Sequence, residues 1–111
     1  MKIVIAIIQP QQLPAVKREL QAADFSDMTC TNILGTVPNY EEHHMVRGVD
    51  HEISLFQKVR MEIAVSDDKL DAIVEAIIKA GQATGGAGKI FVTELFDCAT
   101  VKTGARGPSE L

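Results

Sequence analysis

The stretch with the greatest chemical potential is the glycine-rich turn at residues 84–89, TGGAGK, which an apolar run at 90–92 follows directly. Three glycines within four residues let a backbone turn tightly and approach a bulky anion without interference from a Cβ. Backbone N–H groups beside a lysine ammonium can cradle a phosphate. The spacing is not that of a Walker A loop, because Ala83 stands at its first glycine and Ile90 at its hydroxyl residue. The turn therefore indicates either a phosphate-binding loop or an ordinary flexible β-turn.

A second group of candidate ligands lies in the polar segment from residue 38 to about residue 54, which holds all three histidines. His43, His44 and His51 stand among glutamates and aspartates, and imidazole with carboxylate suits zinc, copper or nickel. Adjacent histidines rarely chelate one ion well, however, and no spacing here matches a structural zinc site. Either a transition metal binds at His43 and His44, or the segment is a solvated acidic loop. A connection of this length without a helical or strand period is usually functional or disordered.

Composition restricts the classes of protein to which the chain can belong. The 111 residues predict a single domain, 1–111. A net charge of −4 argues against nucleic-acid binding, and no apolar tract is long enough to predict membrane insertion. Two cysteines without a secretion signal predict a cytoplasmic location, with Cys30 and Cys98 as buried, inert thiols on strands. No arrangement of nucleophile, acid and base is apparent, so we predict no catalytic residue and no enzyme activity.

The elements that position these groups follow from the hydrophobic pattern. Apolar residues recur at helical spacing after Pro10 and again after Ser66, a good N-cap, and Gly81 is the expected end of the second helix. Apolar or alternating runs elsewhere are typical of strands. The predicted order is a strand at 2–9, a helix through 13–23, a strand at about 28–37, the long loop, a strand at 55–65, a helix at 66–81, a strand at 89–95, a short extended piece near 99–103 and a coil tail at 104–111.

This order is that of the ferredoxin-like α+β fold, βαββαβ, with the long loop between strands 2 and 3. Both helices then cover one face of an antiparallel sheet. The first strand is apolar on both sides, so the second face would leave an apolar patch larger than monomers tolerate. We therefore expect the chain to assemble with further copies of itself.

Several stretches, taken together, resemble the PII signalling proteins over essentially the whole chain apart from the tail. They are AIIQP at 6–10, MTCT at 28–31, LG at 34–35, RG at 47–48, KVRMEI at 58–63, DD at 67–68, GKIFV at 88–92 and VKTG at 101–104. The resemblance implies a homotrimer that binds ATP, ADP or AMP in clefts between subunits. It also implies a B-loop at about 83–89 and a T-loop at about 37–55, which would contact a partner protein such as a membrane transporter.

Carried over by position, the resemblance assigns three groups of residues. The phosphate contacts would be Gly86, Ala87, Gly88, Lys89, Lys58 and Lys102. The adenosine side of the cleft would be lined by Ile7, Thr29, Gly35, Glu62 and Ala64. The partner-binding residues of the T-loop would be Tyr40, Glu42, His43, His44, Arg47 and His51. Lysine ammonium groups suit a polyphosphate because their compact charges need no fixed geometry.

The chain departs from the family pattern at several positions. Ala87 replaces an aspartate in a B-loop that is one residue short, while Thr100 and Lys102 replace two phosphate arginines. The loss of bidentate arginine contacts predicts weaker triphosphate binding or a preference for shorter phosphates. Pro38 and Asn39 replace an arginine and a glutamine at the base of the T-loop, and the tyrosine that many relatives uridylylate is absent. Ordinary 2-oxoglutarate sensing and uridylylation are therefore not expected.

The sequence thus predicts a PII-like regulatory protein that senses an adenine nucleotide and acts on a partner through its long loop. The rival interpretation is a metal-ion binding protein of related fold that acts through His43 and His44. Such a protein would be similar to the copper-tolerance trimers called CutA, or to the PII-like branch associated with heavy-metal efflux pumps.

Overall fold

The computed structural model describes residues 1–37 and 54–111, and this part of the chain contains four β-strands and two α-helices. The strands are β1 (Lys2–Ile8), β2 (Thr29–Gly35), β3 (Phe56–Val65) and β4 (Lys89–Glu94). The helices are α1 (Leu13–Ala22) and α2 (Leu70–Ala83). Short 3-10 turns lie at Pro10–Gln12, Asp67–Lys69 and Pro108–Glu110.

The four described strands form one antiparallel sheet in the order β2-β3-β1-β4. At its centre, Ile5 of β1 pairs with Glu62 of β3 on one side and with Phe91 of β4 on the other. Each crossover runs through a helix, and α1 packs against α2. This is the ferredoxin-like α+β arrangement that the sequence predicts, with residues 38–53 between β2 and β3.

The core lies between the two helices and the face of the sheet that they cover. Burial alternates along β3, where every second residue from Val59 to Val65 is buried, as the predicted period of two requires. The buried apolar side chains are Val4, Ala6, Ile8, Val16, Leu20, Val59, Met61, Ile63, Val65, Ile73, Ala76, Ile77 and Ala80. Burial of each larger aliphatic side chain contributes about 1.5–3 kcal/mol, so this layer fixes the sheet beneath the loops.

The opposite face of the sheet, which we call the open face, carries the alternate residues of each strand. The residues of β1 on this face are Ile3, Ile5 and Ile7, all half-buried. Directly paired residues of an antiparallel sheet project to the same side, so Phe91, which is 52% exposed, stands beside Ile5. In β3 the open face instead carries charged residues, namely Lys58, Arg60 and Glu62. Charged side chains of β3 therefore border the predicted apolar patch on one side of β1.

The second helix ends later than predicted. It continues through Gly81 to Ala83, because nothing at Gly81 breaks the hydrogen-bond ladder. The end comes instead where Gly85 takes a positive φ of 106° and the Gly86 N–H donates to the Gly81 oxygen at 2.8 Å. This is the hydrogen bond of a Schellman motif, in which glycine occupies the position after the C-cap.

The start of that helix also differs from the expected cap. The Ser66 side chain makes no capping hydrogen bond, and a 3-10 turn precedes α2. Asp67 instead forms an ion pair with the amino group of Met1 at 3.0 Å. The Met1 ammonium, and then the Lys2 ammonium, lower the pKa of the Asp67 carboxyl.

The predictions for the C-terminal segment are wrong. In place of an extended piece near 99–103, the structure has a turn closed by a single bridge between Ala99 and Arg106. The expected coil tail folds back, because Gly107 takes a positive φ of 101° and its N–H donates to the Cys98 oxygen at 2.9 Å. A 3-10 turn, Pro108–Glu110, follows.

The two thiols are also placed differently from the prediction. Cys30 is exposed, because β2 lies at the edge of the sheet beyond the reach of the helices. Cys98 is half-buried, lies after β4 rather than on a strand, and its Sγ donates to the Gly107 oxygen at 3.2 Å. Neither is a core thiol. Among residues 1–37 and 54–111, no helix has the length and apolar character needed to cross a membrane.

Candidate functional site

The glycine loop, residues 84–88, joins α2 to β4 and depends on its glycines for its shape. Gly85, Gly86 and Gly88 all have positive φ angles, of 106°, 74° and 123°. Side chains at such angles are strained, so only glycine follows this path readily. At three of its five residues the loop therefore exposes backbone without a Cβ, which is the feature that an anion-binding turn needs.

The end of this loop is pressed against β1. A Cβ added at Gly88 would lie 2.8 Å from the backbone oxygen of Ile7, a distance that real Cβ atoms do not reach. The next residue, Lys89, begins β4 and pairs directly with Ile7. The Lys89 side chain is exposed. The loop thus holds an exposed lysine at the edge of the sheet.

A buried amide supports the loop from below, and sequence reasoning missed it. Gln12 is fully buried, and its Oε1 accepts a hydrogen bond from the Gln9 N–H at 2.8 Å. Its Nε2 donates to the Ala87 oxygen at 2.9 Å. A glutamine three residues after a helix-start position is half of a capping box, so that pattern could have drawn attention to Gln12. Its contact with Ala87, far away in the sequence, could not have been read from it.

A cavity of about 190 Å³ lies beside the glycine loop. It contains all four predicted B-loop residues. Its lining is Ile8, Ile77, Ile78, Gly81, Gln82, Gly86, Ala87, Gly88, Lys89 and Ile90. The apolar part comes from α2 and the strand ends, while the loop contributes backbone groups and one lysine. Such a mixture of apolar walls with a few polar groups is typical of small-molecule sites.

Lys58 and Gly35 meet at the same end of the sheet, next to the point where the chain enters residues 38–53. The Lys58 stem lies over Gly35, so that a Cβ there would be 3.1 Å from the Lys58 Cδ. The Lys58 Nζ donates to the Thr36 oxygen at 2.5 Å. A lysine near the glycine loop is therefore bound directly to the backbone that leads into the long segment.

Three other predicted residues, Thr29, Glu62 and Ala64, lie together at the far end of the open face. They line a second cavity, of about 370 Å³. The Thr29 hydroxyl donates to the backbone oxygen of Glu62 at 3.4 Å. Glu110 and Leu111 of the C-terminal turn contribute to the same cavity. The Thr100 hydroxyl holds Glu110 there through a hydrogen bond of 2.6 Å to its Oε1.

The predicted nucleotide residues therefore form two separate groups on one chain. Ile7, Gly35, Lys58 and Lys89 gather at the end that holds the glycine loop, which we call the loop end. Thr29, Glu62 and Ala64 form the far end. Because a strand rises about 3.3 Å per residue, Lys58 and Glu62 are roughly 13 Å apart along β3.

Lys102 belongs to neither group. It is exposed in the turn at 100–103 and lines neither of the two cavities described above. An ion pair between Arg106 and Asp97 closes the base of this turn and, with the Cys98 N–H, lowers the pKa of the Asp97 carboxyl.

The remaining predicted residues lie outside the described part of the chain. They are Tyr40, Glu42, His43, His44, Arg47 and His51. The proposed metal site at His43 and His44 therefore stays a prediction. Within residues 1–37 and 54–111, no group of three histidine, cysteine, aspartate or glutamate side chains could hold a metal ion.

Comparisons with known proteins bear on the whole chain. The family model described as nitrogen regulatory protein P-II matches residues 1–105. The nitrogen regulatory protein GlnK1 of Methanosarcina mazei is 36% identical, over 100% of this chain and 97% of the relative. Nitrogen regulatory protein P-II 2 of Methanothermobacter thermautotrophicus is 38% identical over 96% and 94%. GlnK of Escherichia coli K12 is 33% identical over 94% of each chain.

Proposed function

Because this chain belongs to the nitrogen regulatory protein P-II family, we propose that this regulatory signalling protein binds ATP, ADP or AMP between copies of itself. The bound state is passed to a partner protein through the T-loop, residues 37–55. The protein works as a homotrimer in the cytoplasm, and a membrane transporter is the class of partner that we propose. It binds the nucleotide as an effector and performs no reaction on it.

The observation that carries the proposal is the glycine loop with its adjacent lysine. Three glycines at positive φ hold the loop open, and Lys89 is exposed beside it. Lys58 lies at the same end of the sheet, so two ammonium groups are available to one polyphosphate. Charge-assisted hydrogen bonds to phosphate are about twice as strong as neutral ones. We therefore assign the phosphate groups of the nucleotide to this end of the sheet.

The separation of the two groups supports a site shared between copies. The far end, with Thr29, Glu62 and Ala64, is roughly 13 Å from Lys58 on the same strand. If two copies pack through their open faces and edges, the far end of one copy can lie beside the loop end of the next. The two groups of residues would then form one nucleotide site. The half-buried Ile5 and the exposed Phe91 beside it provide an apolar surface for that packing. Lys102, which is exposed in its turn, would then reach the phosphates from the neighbouring copy.

Lys58 supplies the route from the nucleotide to the long segment. Its Nζ donates to the Thr36 oxygen, two residues before residue 38. A phosphate that attracts this ammonium competes with that hydrogen bond and changes the balance of conformations at the base of the T-loop. Ligand and partner are coupled only if the nucleotide binds one of these conformations better than the other.

Calorimetric titration with ATP, ADP and AMP tests the proposal. We expect binding by the wild type, and binding that is about 10- to 100-fold weaker in Lys89→Ala, as for the loss of a hydrogen bond to a charged group. Lys79→Ala is the matched control, because Lys79 is an exposed lysine of α2 paired only with Glu19 among the described ion pairs. No binding by the wild type, or equal affinities for wild type and Lys89→Ala, would contradict the nucleotide site.

A further inference from the structure

Gln12 is unusual because it is buried where an apolar residue would be expected. Among residues 1–37 and 54–111 it is the one fully buried polar side chain, with none of its surface exposed. Burial of an amide is unfavourable unless its hydrogen bonds are made. Both partners of Gln12 are backbone groups, of Gln9 and Ala87, so the glutamine serves the backbone around it and not only the packing of the core.

The two ends of the Gln12 amide have separate partners. The Oε1 accepts from the Gln9 N–H at 2.8 Å, which ties the side chain to the residue that follows β1. The Nε2 donates to the Ala87 oxygen at 2.9 Å and lies 3.5 Å from the Gly81 oxygen. One side chain thus joins the end of β1, the last turn of α2 and the glycine loop.

The bond to Ala87 determines how the next peptide group points. The peptides of the described chain are trans, and in a trans peptide the C=O and N–H point in opposite directions. Because the Ala87 oxygen points at the Gln12 amide, the Gly88 N–H of the same peptide points away from it. The α-carbon that follows this peptide, that of Gly88, is packed against the Ile7 backbone, where a Cβ would lie 2.8 Å from the Ile7 oxygen.

We propose that Gln12 is the positioning residue of the glycine loop, whose buried amide turns the Ala87–Gly88 peptide so that the Gly88 N–H is offered to a phosphate. The inference rests on the proposed function, because it assigns the phosphate of the bound nucleotide to this peptide. It adds a residue that touches no ligand and acts through the loop.

The test is a comparison of ADP and adenosine binding in two variants. Gln12→Met keeps a side chain of similar length but loses both hydrogen bonds. Gln12→Glu keeps the acceptor for the Gln9 N–H and loses the donor to Ala87. We expect ADP affinity to fall by about 3- to 10-fold in both, the effect of one neutral hydrogen bond, and adenosine affinity to stay within about 2-fold.

The matched control is Gln11→Glu, the same exchange at the neighbouring residue, which is exposed. It should leave the affinities for ADP and adenosine unchanged. Hydrogen exchange of the Gly86 amide, which donates to the Gly81 oxygen, provides a second readout without nucleotide, and we expect faster exchange in Gln12→Met than in the wild type. This readout remains available if the protein binds no nucleotide.

The outcomes separate the inference from the proposed function. Equal losses for ADP and adenosine would show that Gln12 merely stabilises the fold, and unchanged ADP affinity in Gln12→Met would overturn the inference while the nucleotide site stands. A wild type that binds no ADP would overturn the proposed function. In that case faster exchange at Gly86 in Gln12→Met would still support positioning of the loop, while the assignment to phosphate would be lost.

Discussion

Gly88 packs so closely against Ile7 that a methyl group on its α-carbon would lie 2.8 Å from the Ile7 backbone oxygen. The neighbouring atom belongs to the backbone of the central strand, so it cannot move aside as the end of a side chain could. Gly88 also has a φ of 123°, where a side chain is strained whatever space surrounds it. Contact and conformation together make this position the point at which the glycine loop is fixed to the sheet.

Gly88→Ala should therefore destabilise the protein and displace the loop. We expect the free energy of unfolding to fall by about 2 kcal/mol or more, since strained backbone alone costs of order 1–3 kcal/mol. Nucleotide affinity should fall with it, because the loop must withdraw from Ile7. Chemical denaturation measures the first effect and calorimetric titration measures the second.

Gly81→Ala is the matched control, seven residues earlier in α2. No atom lies within 4 Å of a Cβ at Gly81, and this residue is in the helix. Alanine is favoured over glycine inside a helix by about 0.5–1 kcal/mol, so this exchange should raise the free energy of unfolding. Similar losses in both variants would contradict a specific role for the contact with Ile7.

The second prediction concerns the open face. Phe91 is 52% exposed and pairs with Ile5 at the centre of the sheet. If this face is buried between copies, Phe91→Glu places a charge inside the interface, where desolvation is costly. We expect the wild type to run in light scattering at about three times the chain mass of 12.1 kDa, and Phe91→Glu to run at about the mass of one chain.

Gln21→Glu is the control, because it introduces the same carboxylate at an exposed residue of α1. This helix lies on the face of the sheet opposite the open face, so the mass in light scattering should be unchanged. A wild type that runs as a single chain at micromolar concentration would contradict the trimer. A Phe91→Glu variant that keeps the wild-type mass would contradict burial of this face.

The parts of the fold that could be predicted are those encoded in local periodicity. The alternation of Val59, Met61, Ile63 and Val65 fixed which side of β3 meets the helices, and the structure agrees. The βαββαβ order followed because each crossover contains a periodic helix. Registers, in contrast, depend on long-range pairing, so the grouping of Ile7 with Lys89 became visible only in the folded sheet.

The predictions that were wrong concern features that depend on hydrogen bonds between residues far apart in the sequence. Others depend on backbone conformations that glycine allows but does not impose. Gly81 looked like a helix end, but the helix ends where the Gly86 N–H reaches back to the Gly81 oxygen. The C-terminal segment looked like coil because its turn depends on the bond from Gly107 to Cys98. Nothing local to Gln12 indicates that Ala87 lies beside it.

The third prediction concerns pH and the C-terminal turn. The Arg106 guanidinium, followed by the Cys98 N–H, lowers the pKa of Asp97 below its usual value of 3.8. Because the pKa of the Asp97 carboxyl is lower in the folded protein than in the unfolded chain, its ionised form stabilises the folded turn at pH values above 3.8. This stabilisation is lost as the pH falls through the pKa that Asp97 has in the folded protein. Asp97→Asn should therefore speed hydrogen exchange at Gly107 near neutral pH, with a difference from wild type that shrinks below pH 3.8.

The effect of Asp97→Asn should be confined to the C-terminal turn and small, because this ion pair is exposed to solvent. Glu75→Gln removes an exposed carboxylate from α2 and should leave Gly107 exchange unchanged. A difference between Asp97→Asn and wild type that persists at the lowest pH would show that the ion pair is not its cause.

The last prediction tests whether Lys58 connects the nucleotide to the long segment. Trypsin cleaves after arginine, and Arg47 lies between residues 38 and 53. If the nucleotide draws the Lys58 ammonium away from the Thr36 oxygen, saturating ADP should change the cleavage rate at Arg47, by about 3-fold or more for a shift of 0.7 kcal/mol in the balance of conformations. In Lys58→Met the nucleotide should still bind through Lys89, at a weaker affinity, but saturating ADP should no longer change that rate.

Lys17→Met removes an exposed lysine of α1 and should keep the full response to ADP. Because every variant is compared at saturation, weaker binding by Lys58→Met cannot imitate a loss of coupling. A response to ADP that survives in Lys58→Met would mean that the nucleotide reaches the T-loop by another route. In that case the contact between Lys58 and Thr36 serves only to anchor the end of β2, since the ammonium bound there would have no part in the change.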